Sequence, residues 1–131
     1  MEKQFLNPDT LPAPRGYTQI VSTPPGRTIY ISGQVALNAK GELVGKGDLR
    51  AQTVQVYENL KAALDAAGAT FAEVVKTTTY VVNYKPEQIT ILREVRGQYY
   101  PHEPPASTLV GVQALVGEDW LVEIEAVAVL L

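Results

Sequence analysis

The segment Ala126-Val127-Ala128-Val129-Leu130-Leu131 contains no polar side chain, while Val122-Glu123-Ile124-Glu125 just before it alternates strictly. Alternate side chains of a strand point to opposite faces of a sheet. Glu123 and Glu125 therefore share one face with Leu121, Val127 and Val129, and Val122, Ile124 and Ala126 occupy the other. A strand apolar on both faces needs cover on both. The rest of the chain offers two helices, enough for one face, so a second copy of the chain is the expected cover for the other. Glu123 and Glu125 are the first candidates for chemistry. A carboxylate on a largely apolar face must be paired, hydrated in a cleft or shifted toward its protonated form, and such a group can hold water and move protons. An ordinary solvent-facing or ion-paired couple would show the same pattern.

The remaining elements follow from periodicity and punctuation. Asn7 to Arg15 carries Pro8, Pro12 and Pro14, and residues 1–16 read as an irregular arm. Tyr17–Ser22 and Thr28–Ser32 are β-rich, and Thr23-Pro24-Pro25-Gly26-Arg27 between them predicts a hairpin turn. Gln34–Leu37 continues as strand or loop, followed by a turn at Asn38-Ala39-Lys40-Gly41. Asp48 is an N-cap candidate for a long helix with Ala51, Val54, Tyr57, Leu60, Leu64 and Ala67 as its stripe, and Gly68 suits its left-handed end. Val75–Val82 is a β-branched strand, and Pro86 opens a second helix striped by Ile89, Leu92, Val95 and Tyr99 and stopped by Pro101, Pro104 and Pro105. Strands Ser107–Val112 and Leu121–Leu131 complete one α+β domain over residues 1–131, in the order β-β-α-β-α-β-β.

Composition narrows the chemistry. A formal charge of −3 argues against a nucleic-acid partner, which calls for a basic footprint. No apolar run approaches the roughly 20 residues that span a bilayer. With 0 cysteines and 1 histidine, a Cys–His pair or a multi-histidine metal site within the chain is ruled out. A soluble, cytoplasmic protein without metal or membrane partner is expected. His102 reads as a surface residue, Gly45-Lys46-Gly47-Asp48 as a turn and helix cap rather than a phosphate loop, Lys76 as a solvated strand-end amine, and Arg93 and Arg96 as exposed helix arginines.

Ile31-Ser32-Gly33-Gln34-Val35, Val75-Lys76-Thr77-Thr78, Pro104-Pro105-Ala106 and Val122-Glu123-Ile124-Glu125-Ala126-Val127-Ala128 stand in the order and spacing typical of the Rid (reactive intermediate deaminase) family, formerly the L-PSP endoribonuclease family. The resemblance runs from about Tyr17 to the C-terminus. It implies a chorismate-mutase-like fold, a mixed sheet backed by two helices. It also implies a homotrimer closed around a central β-barrel, with a small-molecule cleft between each pair of subunits. Deaminating members hydrolyse imines and enamines such as 2-iminopropanoate without cofactor or metal. They use an arginine to clamp the carboxylate, a glutamate to position water, and a tyrosine and backbone groups to shape the pocket.

By that resemblance Tyr17 matches the pocket tyrosine, Gly33 the glycine whose backbone lines the site, and Glu123 the water-positioning glutamate. Ser32 beside Gly33 and Thr108 beside Ser107 complete the expected ligand set. The arginine does not carry over. Deaminating members read Pro-Ala-Arg where this chain reads Pro105-Ala106-Ser107, and Leu109 stands where cysteine or threonine is usual. A guanidinium offers a carboxylate two charge-assisted hydrogen bonds and a serine one neutral donor. Hydrogen bonds to charged groups contribute roughly 1.5–3 kcal/mol each. Losing the clamp should weaken handling of 2-iminopropanoate by about 10- to 100-fold. Arg93, at a helix position that is often asparagine at the pocket rim, is a candidate replacement cation. Three functions compete: cofactor-independent hydrolysis of an imine or enamine through Glu123, a non-catalytic small-ligand-binding or regulatory trimer, and the ribonuclease of the older family name, which the acidic charge disfavours.

Overall fold

Two prolines in a row, Pro24 and Pro25, neither with an amide hydrogen to donate, stand between the chain's second and third strands, which join different sheets. In the computed structural model, which describes residues 1–100 and 102–131, strand β2 (Ile20–Ser22) pairs antiparallel with β1 (Gln4–Leu6). The next strand, β3 (Arg27–Gln34), pairs with β6 (Val122–Leu130). The expected hairpin between the β2 and β3 segments is therefore not formed. The arm is not wholly irregular either, because Gln4–Leu6 is the strand that β2 finds instead.

The main sheet has the order β3-β6-β4-β5, with β4 spanning Val74–Val82 and β5 Ala106–Val112. β6 runs antiparallel to both its neighbours, and β4 and β5 run parallel. A parallel pair needs a crossover, and helix α2 (Ile89–Tyr99), entered through a 3-10 turn at Pro86–Gln88, supplies it. Helix α1 (Leu49–Ala66) lies beside α2 over the same face. Pro101, one of the expected helix stops, lies outside the described residues.

The caps of α1 form as expected. Asp48 accepts a hydrogen bond from the Ala51 amide at 3.0 Å. At the other end Gly68 takes φ +79° while the Ala69 amide reaches back to the Leu64 carbonyl, a Schellman closure. The buried stripe is broader and shifted from the predicted one. Tyr57, Leu60 and Leu64 are buried, but Ala51, Val54 and Ala67 are only half-buried, and Leu49, Gln52, Thr53 and Val56 point inward. Two polar residues are tolerated there because they are bonded. Thr53 donates to the Leu49 carbonyl at 2.7 Å. Gln52 donates to the Gly45 and Asp119 carbonyls and accepts from the Leu121 amide at 2.9 Å. Gln52 thereby ties α1 to the segment that delivers β6, two residues before Glu123.

Val122, Ile124, Ala126 and Ala128 of β6 are at most 4% exposed beneath the helices. The opposite face has no such cover in the single chain. Tyr30 is 81% exposed and Glu125 is exposed, with Glu123 and Val127 half-buried. The alternation read along β6 holds, and Val129 is buried within the chain.

Candidate functional site

The expected site residues other than Thr108 fall into two groups at opposite edges of the sheet. Glu123, Gly33 and Ser32 lie toward the β3 edge. The β3–β6 register shifts between Ile31 and Gln34, so β3 carries an extra residue there and bends, as a β-bulge does. Gly33 sits in that bulge directly against Glu123, and a Cβ at Gly33 would run into the Glu123 carboxylate. Only a glycine permits this approach. Across the sheet Glu123 is in register with Tyr80. The Tyr80 hydroxyl donates instead to Glu125 at 2.9 Å, and that bond holds the phenol above its usual pKa. Of the two carboxylates, Glu125 is thus bonded within the chain and Glu123 is left toward the bulge.

The second group forms at the β5 edge, on the helix side. Tyr17, Arg93 and Ser107 line one cavity of about 510 Å³ together with Arg96, Tyr84 and Ile89. Thr18, next to Tyr17, fixes the arm there. Its amide donates to the Pro105 carbonyl at 3.1 Å and its hydroxyl to the Pro104 carbonyl at 2.5 Å. Ser107 accepts from the buried Thr77 hydroxyl at 3.2 Å. Arg96 is not the exposed helix arginine it was expected to be. It packs between Gly16 and the phenols of Tyr57 and Tyr100 and donates to the Arg15 carbonyl at 3.2 Å. Burial lowers the pKa of its guanidinium, the nearby phenols oppose that shift, and the like charge of Arg93 adds to it. Gly16 has φ +76°, and a Cβ there would strike Arg96. The signal for this contact was the Arg15-Gly16-Tyr17 run, a glycine between two site residues, but nothing local links it to a helix some 80 positions later.

Thr108 is not part of either group. β5 alternates, so Thr108 lies on the uncovered face and accepts a hydrogen bond from Lys76 Nζ at 2.9 Å. Lys76 also donates to the Thr77 carbonyl, and burial lowers its pKa. It is bonded rather than freely solvated. Gly45-Lys46-Gly47-Asp48 is the turn and cap it was read as, with both glycines at positive φ. His102 is exposed, as expected. No helix among the described residues is long and apolar enough to cross a membrane.

A mixed four-stranded sheet backed by two helices, with a carboxylate against a glycine bulge on one face and a tyrosine–arginine cavity under the helices, defines an α+β protein of the Rid type. The family model described as Endoribonuclease L-PSP matches residues 8–130. The chain is 38% identical over 128 residues to a RutC family protein of Pyrococcus horikoshii, covering 96% of this chain and 97% of that one. It is 30% identical over 129 residues to a 2-iminobutanoate/2-iminopropanoate deaminase of Dermatophagoides farinae, covering 98% and 97%. A solved structure from Yersinia pestis, of a protein of unknown function in the conserved Rid family, superposes with TM-score 0.93 at 46% identity, covering 99% of this chain and 100% of that one. The chain belongs to the Rid, or L-PSP endoribonuclease, family.

Proposed function

We propose that this chain is a homotrimer whose inter-subunit clefts hydrolyse an imine or enamine to a carbonyl compound and ammonia, without cofactor or metal. The observation that carries the reading is the Glu123 carboxylate held against the Gly33 bulge, where a side chain on residue 33 would exclude it. A carboxylate there can orient a water molecule toward an imine carbon and take its proton, a contribution of typically 10²- to 10⁴-fold. The trimer accounts for two features. The sheet face bearing Tyr30, Val127 and Glu123 lacks cover in one chain. The Glu123 group and the Tyr17–Ser107 group occupy opposite faces and edges of one sheet, so the two halves meet only if one subunit's β5 edge lies beside another's β3 edge.

In the cavity β5 supplies Ser107 and Leu109, neither of them charged. A short imino acid gripped at that strand, such as 2-iminopropanoate, is expected to be a poor substrate. The acidic balance of the chain weighs against RNA as substrate. The test is ammonia release from a panel of amino-acid-derived imines generated in situ. Glu123→Ala should lower the rate on the best substrate by about 100-fold or more. Equal rates for wild type and Glu123→Ala across the panel would leave a ligand-binding trimer in place of a hydrolase.

A further inference from the structure

Arg93 and Arg96 stand three residues apart on α2, which makes them neighbours on one helix face. Both line the 510 Å³ cavity above Ser107, and both also line an adjoining hollow of about 760 Å³ under the N-terminal arm. Arg15 borders the same two spaces. Among the described residues none of these three cations has a carboxylate partner. Glu94, between the two α2 arginines in sequence, is taken by Arg50 at 2.6 Å, and Glu103 at the rim of the outer hollow forms no ion pair with them. Arg96 is half-buried beside the like charge of Arg93, an arrangement that a counter-ion relieves. Tyr100, which lines the outer hollow, has a buried hydroxyl with no hydrogen-bond partner.

We propose that Arg93, with Arg96 and Arg15 around it, is the binding site for the carboxylate of a small organic ligand, so that the anion is held from α2 and the arm rather than from β5. This rests on the hydrolase reading for the other half of the cleft and names what that half holds. A planar guanidinium fork matches a carboxylate bidentately. Arg93 is exposed and free to turn onto the ligand. Arg96 supplies field from behind while its bond to the Arg15 carbonyl keeps Gly16 and Tyr17 in place. Ile89, Leu109 and Tyr84 line the space beside the arginines, which suits an apolar chain next to the carboxylate.

Calorimetric titration of the full-length protein with 4-methyl-2-oxopentanoate and with its amide separates charge from shape. Wild type should bind the carboxylate at least about tenfold more tightly than the amide. Arg93→Gln should remove that preference, and Arg93→Lys should restore part of it. Arg96→Gln should weaken the carboxylate too, and circular dichroism reports whether the arm and fold survive that change. The proposal is overturned if wild type binds neither compound, if it binds both equally, if Arg93→Gln binds as wild type does, or if inorganic phosphate binds more tightly than the carboxylate. The rate of Glu123→Ala reads the hydrolase proposal separately: a Glu123-independent rate together with an Arg93-dependent affinity sinks that proposal and keeps this one.

Discussion

The two faces of β6 belong to one strand and have opposite fates. On the helix side Val122, Ile124, Ala126 and Ala128 are buried within the chain, with α1 packed across the strand. On the other side Glu123 and Val127 look out past their register partners, Tyr80 for the first and Tyr30 and Lys76 for the second, and Glu125 stands opposite Thr78. The first face is a finished core that any single copy can build. The second mixes carboxylates, phenols, an amine and an apolar residue, which is neither a good core nor an ordinary solvent face. The contrast teaches that stability and function are divided by strand alternation: one set of residues holds the sheet, and the set between them is left to meet something else.

The sharpest way to break that comparison is to put a charge where a second copy should sit. Burying an unpaired ion costs several kcal/mol, so Val127→Glu is expected to turn the proposed trimer into single chains in multi-angle light scattering. A wild type that is already monomeric would show that the open face is merely a solvent face. Next comes Ile124→Ala on the covered side. Truncating a fully buried side chain of that size costs about 2–5 kcal/mol, read as a lowered denaturation midpoint, and this loss should appear whether or not the protein assembles.

Alkaline pH sharpens the comparison through phenols on both sides. Behind the helices Tyr57, Phe71, Tyr99 and Tyr100 form an aromatic cluster in which Tyr57 and Tyr99 stack with centroids 4.8 Å apart. Burial raises the pKa of Tyr57 and Tyr100. It also raises Tyr99 from its ordinary 10 to about 12, with the hydrogen bond to Glu58 assisting. A raised folded value means stabilisation that is complete below pH 10 and is lost as pH climbs toward about 12. Denaturation midpoints should fall over that window, and less so in Tyr99→Phe. The smallest expected effect is on the open face, where Tyr80→Phe removes one exposed hydrogen bond to Glu125. At protein concentrations low enough for single chains it should leave the midpoint unchanged within error while removing one high-pH phenol from the ultraviolet titration.

Element types were largely legible because each rests on local chemistry: Asp48 and Gly68 at the ends of α1, Pro86 before α2, the β-branched run of β4. Pairing was less so. Whether Ile20–Ser22 joins β3 or β1 depends on which edge can reach it, and a turn-like Pro-Pro-Gly cannot say that its neighbours will diverge into separate sheets. The inward turn of Gln52 was hidden for a similar reason, since a polar residue joins a core only when distant backbone groups arrive to bond it. At the site, Glu123 could be picked out because alternation along one strand is a local property. Its partner Gly33 was reached through resemblance, and the closeness of the two is decided by a bulge.

The sequence by itself determined which side chains share a face, where the helices begin and end, and that β5 brings no cation at residue 107. Periodicity and capping act over a few residues and need no partner. Only the tertiary structure decided that Tyr17 meets the Ser107 face of β5 and that Glu123 and Ser107 lie on opposite sides of one sheet. It also decided that Arg96 is drawn in beneath Gly16 beside Arg93. Those facts depend on strand order, a register shift and the path of the arm, which are set by contacts among segments far apart in the chain.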